Sequence, residues 1–252
     1  MRIIDDIGLD AFTNMAVDET IFQGFLKGES PPTLRFYTFS PPAITLGYLQ
    51  RMEEVDLENC RRMGIQVVRR PTGGRAVIHE GDLTFSLVGG VDDPLFGGSL
   101  LETYRKVSEV FRVVFEKMGI EAKLVKSKVG VGLKPAPTLC FSSTSRYELL
   151  VKGEKVMGCA QVRKGGSFLL QGSLRVEETE RNYHTLFRGN GSVLPKSISS
   201  IQGTNLRAGR IKELVEGGLG KGWKKGRLTE REEEELRGLR RRYLSHDWNC
   251  KY

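Results

Sequence analysis

The chain has 252 residues, of which 39% are hydrophobic and 28% charged, a balance that suits a globular chain with a sizeable core and excludes a disordered, fibrous or disulfide-stapled one. No apolar run is long enough to span a membrane, and Met1-Arg2-Ile3-Ile4-Asp5-Asp6 lacks the basic, apolar, small-residue order of a signal peptide, so a cytoplasmic protein without a membrane partner is expected. Thirty-nine Lys and Arg against 31 Asp and Glu leave a net charge of +8, which favours an acidic partner, whether nucleic acid, an anionic surface or an acidic protein.

Helical spacing of Met15, Phe22, Phe25 and Leu26 predicts a helix over 14–26, with Asp18 and Glu19 near its start, where the macrodipole favours them. Pro31-Pro32 stops it, and the aromatic and β-branched run Thr33 to Phe39 reads as a strand. A second strand resumes over 44–49 after Pro41-Pro42. Asp56 caps a short helix ending at Gly64, and Ile65 to Arg69 leads as a strand into a glycine-rich turn. Ala76–Ile78 and Leu83–Val88 read as strands paired around Glu80-Gly81-Asp82. Ser99 and Glu102 form a capping box for a core helix with the stripe Leu101, Tyr104, Val107, Phe111, Val114, Phe115 and Met118, closed by Gly119.

Three successive antiparallel strands are expected at 147–151, 155–162 and 167–176, turning at Lys152-Gly153-Glu154 and Lys164-Gly165-Gly166. Residues 177–210 read as irregular, and 217–226 as a flexible hinge. Thr229 and Glu232 cap a last, highly charged helix through Tyr243, whose narrow face of Leu236, Leu239 and Leu244 suits packing at the domain edge. Hairpins interspersed with helices predict an α+β fold: a mixed, largely antiparallel sheet flanked by helices. Residues 1–252 are expected to form a single catalytic domain, with 206–252 a C-terminal helical segment packed on it. Rossmann winding is disfavoured because the glycine-rich turn leads into a strand and not into a helix.

That turn, Arg69-Arg70-Pro71-Thr72-Gly73-Gly74-Arg75, is the most informative stretch. Glycine lets a ligand approach backbone N–H groups, and the arginines would place fixed charge beside the cradle. His79 follows by one short strand and is a candidate base or lining group. Cys140, between a proline-rich approach and a hydroxyl-rich exit, is the candidate reactive thiol, whereas Cys159 and Cys60 read as packed residues and Cys250 as uninformative. None of the four cysteines has CxxC spacing and there are only three histidines, so free thiols and no metal site are expected. Lys155 opens a strand after a tight turn, where it is either a solvated lysine or one aimed at a ligand carbonyl.

These residues resemble a known family. Arg69 to Glu80 is similar to the RRxxGGxAVxH signature of lipoate-protein ligases and octanoyltransferases, and Lys155-Val156-Met157-Gly158-Cys159-Ala160-Gln161 resembles that family's K-[IV]-x-G-x-A-Q segment. Asn14 to Glu19 is similar to its NMAxDE opening, and Tyr243 to Asn249 to its closing segment. The resemblance is closest to the LipM-type octanoyl-acyl-carrier-protein transferase branch. The turn reads GGR where ligases tend to have GGG, and Glu80-Gly81-Asp82-Leu83-Thr84 replaces the ligases' acidic-Gly-Asn sequence. Cys140 stands where that branch carries its nucleophile, in a setting matched by Phe141, Ser145, Tyr147 and Glu148.

The resemblance implies the fold shared by biotin and lipoate protein ligases. It implies transfer of octanoyl from an acyl carrier protein to a lysine of a lipoyl domain, in glycine cleavage H protein or dehydrogenase E2 subunits, through a thioester on Cys140, with no cofactor and no ATP. Lys155 would stabilise the oxyanion. Arg70, Gly73, Gly74, Arg75, His79, Gly158 and Ala160 would form the acyl and pantetheine pocket. The basic charge would then steer an acidic carrier protein and not a nucleic acid. The alternatives are an ATP-dependent lipoate ligase or an amidotransferase moving lipoyl or octanoyl groups between proteins, and, more remotely, a basic nucleic-acid-binding domain.

Overall fold

The computed structural model describes residues 1–125, 147–179, 181–188 and 196–252. The principal sheet contains β1 (Arg2–Leu9), β2 (Thr33–Phe39), β6 (Asp82–Gly90), β10 (Met157–Lys164), β11 (Ser167–Arg175) and β12 (Lys224–Lys225), in the order β10-β11-β6-β2-β1-β12. Within the run β10-β11-β6-β2 each pair is antiparallel, while β1 runs parallel to both β2 and β12, so the sheet is mixed as expected. β1 had no clear signal, because its outer half is partly exposed and carries no strict alternation. A second sheet has β3 (Ala43–Leu46) between β4 (Gln66–Arg69) and β5 (Val77–His79), and a third joins β7 (Ala122–Leu124), β8 (Leu149–Val151) and β9 (Glu154–Lys155).

Two expected strand pairings are corrected. The strands at 76–78 and 83–88 do not form a hairpin with each other: β5 pairs with β3, whereas β6 pairs with β2 and β11, so the chain changes sheets at Gly81. The expected strand over 155–162 is two strands, divided at Val156, with β9 on β8 and β10 on β11.

One face of the principal sheet is covered by α3 (Leu100–Lys117) and α5 (Ala208–Gly218) around a core that includes Phe36, Phe85, Phe111, Phe115, Phe168 and Val215. Each such side chain contributes roughly 1.5–3 kcal/mol by leaving water. The capping box of α3 is present, but Leu101 is exposed and does not join the stripe. The other face carries α1 (Ala11–Leu26) and, packed on it, α6 (Glu230–Leu244). Leu236 and Leu239 face this layer, while Leu244 is exposed. The short helices α2 (Leu57–Arg62), α4 (Ile198–Gln202) and α7 (His246–Asn249) complete the described α-helices, α2 being capped by Asp56 as expected.

Residues 217–226 are not a hinge. α5 runs through Gly218, and Lys224–Lys225 then adds to the edge of β1, with backbone bonds from Lys224 to Met1 and from Gly226 to Ile3. Nor do Asp18 and Glu19 stand at a helix start: Asp10 is the N-cap of α1, and both carboxylates are buried in its third turn, bonded to side chains of other elements. No helix among the described residues is long and apolar enough to cross a membrane.

Candidate active site

The small β4-β3-β5 sheet lies over the α1 side of the principal sheet, and a cavity of about 400 Å³, its mouth included, opens between them. Thr45, Val77 and His79 line it from the small sheet, Thr84, Gln171 and Ser173 from β6 and β11, Met15 from α1 and Tyr37 from β2. Gly74, Gly158, Ala160 and Gly172 form the rest of its wall with Cys159 and Arg70, so small residues keep the space open.

The glycine-rich turn that closes one side is held by arginines acting inward. The buried Arg70 guanidinium donates to the carbonyls of Thr45 (3.0 Å), Gly73 (2.6 Å) and Arg75 (2.8 Å) and to the hydroxyl of Thr72 (3.2 Å). Arg69, fully buried, donates to the carbonyls of Gly47, Tyr48 and Gln50 and to that of Asn249. Trp248 Nε1 returns a bond to the Arg69 carbonyl at 2.8 Å, which ties the C-terminal segment to the turn. The carbonyls of the turn are thus satisfied from within by Arg70. Gly74 takes φ +87°, in the region open to glycine, and its carbonyl would lie 1.8 Å from a Cβ placed on Gly47. Only a glycine at 47 allows the two backbones to approach so closely.

Two buried polar networks underlie the cavity. Asp18 accepts from Arg35 Nη1 (2.8 Å), Tyr37 OH (2.8 Å), Ser86 Oγ (2.7 Å) and Gln171 Nε2 (2.7 Å). Gln171 Oε1 accepts in turn from Thr72 in the turn (2.7 Å). Burial, then the Asp18 charge, holds the Tyr37 phenol well above its usual range, so it remains a neutral donor. In the second network Asp82 Oδ2 meets His79 Nδ1 (2.7 Å), Thr84 Oγ1 (2.7 Å) and Ser173 Oγ (2.8 Å). Burial opposes the Asp82 charge, but His79 and the two hydroxyl donors outweigh it and hold the carboxyl below the usual range. His79 Nε2 lies 3.0 Å from Thr45 Oγ1, and its ring stacks on Phe39 at 4.1 Å between centroids. Among the described residues no group of acidic, histidine and cysteine side chains has metal-binding geometry.

Residues 10–219 match the family model described as the lipoyl protein ligase A/B catalytic domain. The chain belongs to this family. A protein of Carboxydothermus hydrogenoformans named octanoyltransferase LipM is 35% identical over 98% of this chain and 97% of its own length, and a Kyrpidia tusciae protein of the same name is 36% identical over 94% and 93%. The relationship makes the chain an acyltransferase. A putative lipoate protein ligase from T. acidophilum, solved with bound lipoic acid, shares the fold, with a TM-score of 0.78 at 23% identity over 99% of this chain and 98% of that one.

Of the lipoyl protein ligase family signatures, Arg70, Gly74, His79, Gly158 and Ala160 meet at the cavity wall. Gly73 and Arg75 belong to the same turn, and their carbonyls are the ones Arg70 holds. Lys155 is buried in β9, three residues before Gly158, with its Nζ ion-paired to Glu148 at 2.6 Å. Cys140, with Phe141 and Ser145 of its motif, lies outside the described residues. Cys159 does pack against the core, yet it is only half-buried and also borders the cavity. Cys60 is core, as expected, and burial pushes its thiol up to about 11.

Sequence reasoning missed Met15, Tyr37, Thr45, Thr84, Gln171 and Ser173. A signal did exist. In Leu83-Thr84-Phe85-Ser86-Leu87 the apolar residues fall on one face and the hydroxyls on the other. Alternation of this kind usually marks a solvent-facing side, but here that side is also buried, which makes its polar residues the floor of a site.

Proposed function

We propose that the protein transfers an octanoyl group from an acyl carrier protein to a lysine of a lipoyl-domain protein, through an acyl thioester on Cys140. The observation that carries this is the character of the cavity. Its polar groups are bonded to one another, and the rest of its wall is Gly74, Gly158, Gly172, Ala160, Val77, Met15 and Cys159, small or weakly polar side chains. A neutral aliphatic chain suits such a space better than a phosphate or a free carboxylate, since each buried methylene is worth about 0.8 kcal/mol. The names of the full-length relatives support the same acyl group.

The chemistry divides into two steps. The Cys140 thiolate attacks the thioester carbonyl, the carbonyl-to-pantetheine sulfur bond breaks, and the released thiolate takes a proton. The ε-amine of the acceptor then attacks the Cys140 thioester; the amide forms, the amine loses its proton, and the Cys140 thiol is regenerated. Lys155, fixed by Glu148, would neutralise the oxyanion of both steps. Thioester donors are already activated, so no ATP enters. The positive net charge would speed encounter with an acidic carrier protein.

The test is to mix the purified protein with octanoyl carrier protein and an apo lipoyl domain in the absence of ATP. Acceptor octanoylation that disappears in Cys140→Ala, together with an octanoyl adduct on Cys140 by mass spectrometry, is expected. A strict requirement for free lipoate and ATP would overturn it.

A further inference from the structure

At neutral pH an acceptor lysine is almost wholly protonated, its ordinary pKa being about 10.4, so aminolysis of a thioester needs a group to receive its proton. The cavity wall contains a defined relay for that purpose. Arg70 Nη1 donates to Thr45 Oγ1 at 3.3 Å, which leaves the hydroxyl proton of Thr45 to point elsewhere. The atom in reach is His79 Nε2, 3.0 Å away. On the other side of the ring Nδ1 lies 2.7 Å from Asp82, whose carboxylate is also fixed by Thr84 and Ser173. For the neutral ring the arrangement selects one tautomer: Nδ1–H donates to Asp82 and bare Nε2 accepts from Thr45. Thr45 and His79 both line the cavity, and all six of these residues are buried.

We propose that Thr45 and His79, positioned by Asp82, form the proton acceptor for the incoming lysine, a role that rests on the function proposed above. As the ammonium approaches, it gives a proton to Thr45 Oγ1 and the Thr45 proton moves to His79 Nε2. The neutral amine attacks the acyl carbon, the carbon–sulfur bond of the acyl-enzyme breaks, the amide nitrogen releases its second proton to solvent, and the imidazolium, stabilised by Asp82, returns the first proton to the departing thiolate. Among the described residues, the titratable groups around His79 are Asp82 on β6 with Arg175 opposite it on β11, Glu80 next in the chain, Arg70 beyond Thr45, and Tyr37 and Cys159 on the cavity wall. Among the described residues only Asp82 contacts the ring as a carboxylate; the phenol of Tyr37 stays neutral.

The test is single-turnover transfer of octanoyl from isolated acyl-enzyme, expressed per acylated molecule so that folding and loading losses cancel. Two acceptors are compared: the lipoyl-domain lysine, and hydroxylamine, which is unprotonated at neutral pH and needs no base. In His79→Gln, and separately in the nearly isosteric Thr45→Val, the ratio of lysine to hydroxylamine rates is expected to fall roughly 10²-fold or more, the usual contribution of a general base. Asp82→Asn should lower it in the same direction. An unchanged ratio in Thr45→Val or His79→Gln, with lysine transfer still rising through the same pH range, would overturn the relay. Failure of the wild-type enzyme to become acylated at all would instead overturn the acyl-thioester mechanism, and the relay with it.

Discussion

Gly47→Ala is the most direct perturbation of the turn. The new Cβ would stand 1.8 Å from the Gly74 oxygen and 2.6 Å from its carbonyl carbon. Gly47 cannot retreat, because its carbonyl is held by Arg69 (2.9 Å) and by the Gln50 amide (3.0 Å). The Gly74 segment must therefore move, by about 1.2 Å to reach the 3.0 Å below which a real Cβ contact is essentially never found. Arg70 resists that motion through its bonds to the carbonyls of Gly73 and Arg75. Overpacking of this kind costs about 1–3 kcal/mol, which in a chain of this size lowers Tm by about 2–12 °C. Because Gly74 is part of the cavity wall, a shift of about 1 Å should also reduce octanoyl transfer roughly 10²-fold. Thermal unfolding and the ATP-free acylation assay measure the two effects. Gly217→Ala is the control: it lies within α5, its Cβ meets nothing within 4 Å, and it should stabilise by about 0.5–1 kcal/mol. A Gly47→Ala protein with wild-type Tm and wild-type activity would refute the argument from backbone approach.

Ala160→Val adds two methyl groups to the cavity wall. If they displace two methylenes of substrate, octanoyl binding weakens by about 1.6 kcal/mol, so KM for octanoyl relative to hexanoyl donors should rise roughly fifteenfold. Asn249→Ala removes the acceptor for the Arg69 amide (2.9 Å) and donors to the carbonyls of Tyr243 and Ser245, and should cost about 1–3 kcal/mol in denaturant unfolding. Asp82 is held below its usual range in the folded protein, so its stabilising contribution is present above the unfolded value of about 3.9 and is lost as pH falls through the folded one; Asp82→Asn should flatten the decline of stability below about pH 4, read from urea midpoints. Burial, then the Asp56 charge, pushes the Cys60 thiol up to about 11, so a thiol-alkylating reagent near neutral pH should label Cys60 only after unfolding, as peptide mapping will report.

Local signals were legible where the physics is local. The strand over 33–39, the Asp56 cap and both capping boxes need only neighbours a few positions away, and the structure has all of them. Misplacements occurred where one stretch serves two sheets. Residues 155–162 have continuous strand character, yet Val156 accepts from Arg175 and donates to Leu149, which divides the run between β8 and β11. Similarly, nothing in Glu80-Gly81-Asp82 distinguishes a hairpin from a crossing between sheets. Only the partners of the flanking strands decide.

By itself the sequence determined the family, the glycine-rich turn, the candidate lysine and the α+β class, because those rest on residue identity at fixed spacing and on short-range periodicity. The tertiary structure alone decided what the arginines of the turn do. Arg69 is bonded to Asn249, 180 positions away, and Arg70 to backbone carbonyls, so both guanidinium groups tie the turn to the rest of the chain. It also decided that the polar side of β6 and β11 faces inward. The reason is that burial belongs to the pair of packed surfaces, and the second surface, the small β4-β3-β5 sheet, is contributed by residues far from those it covers.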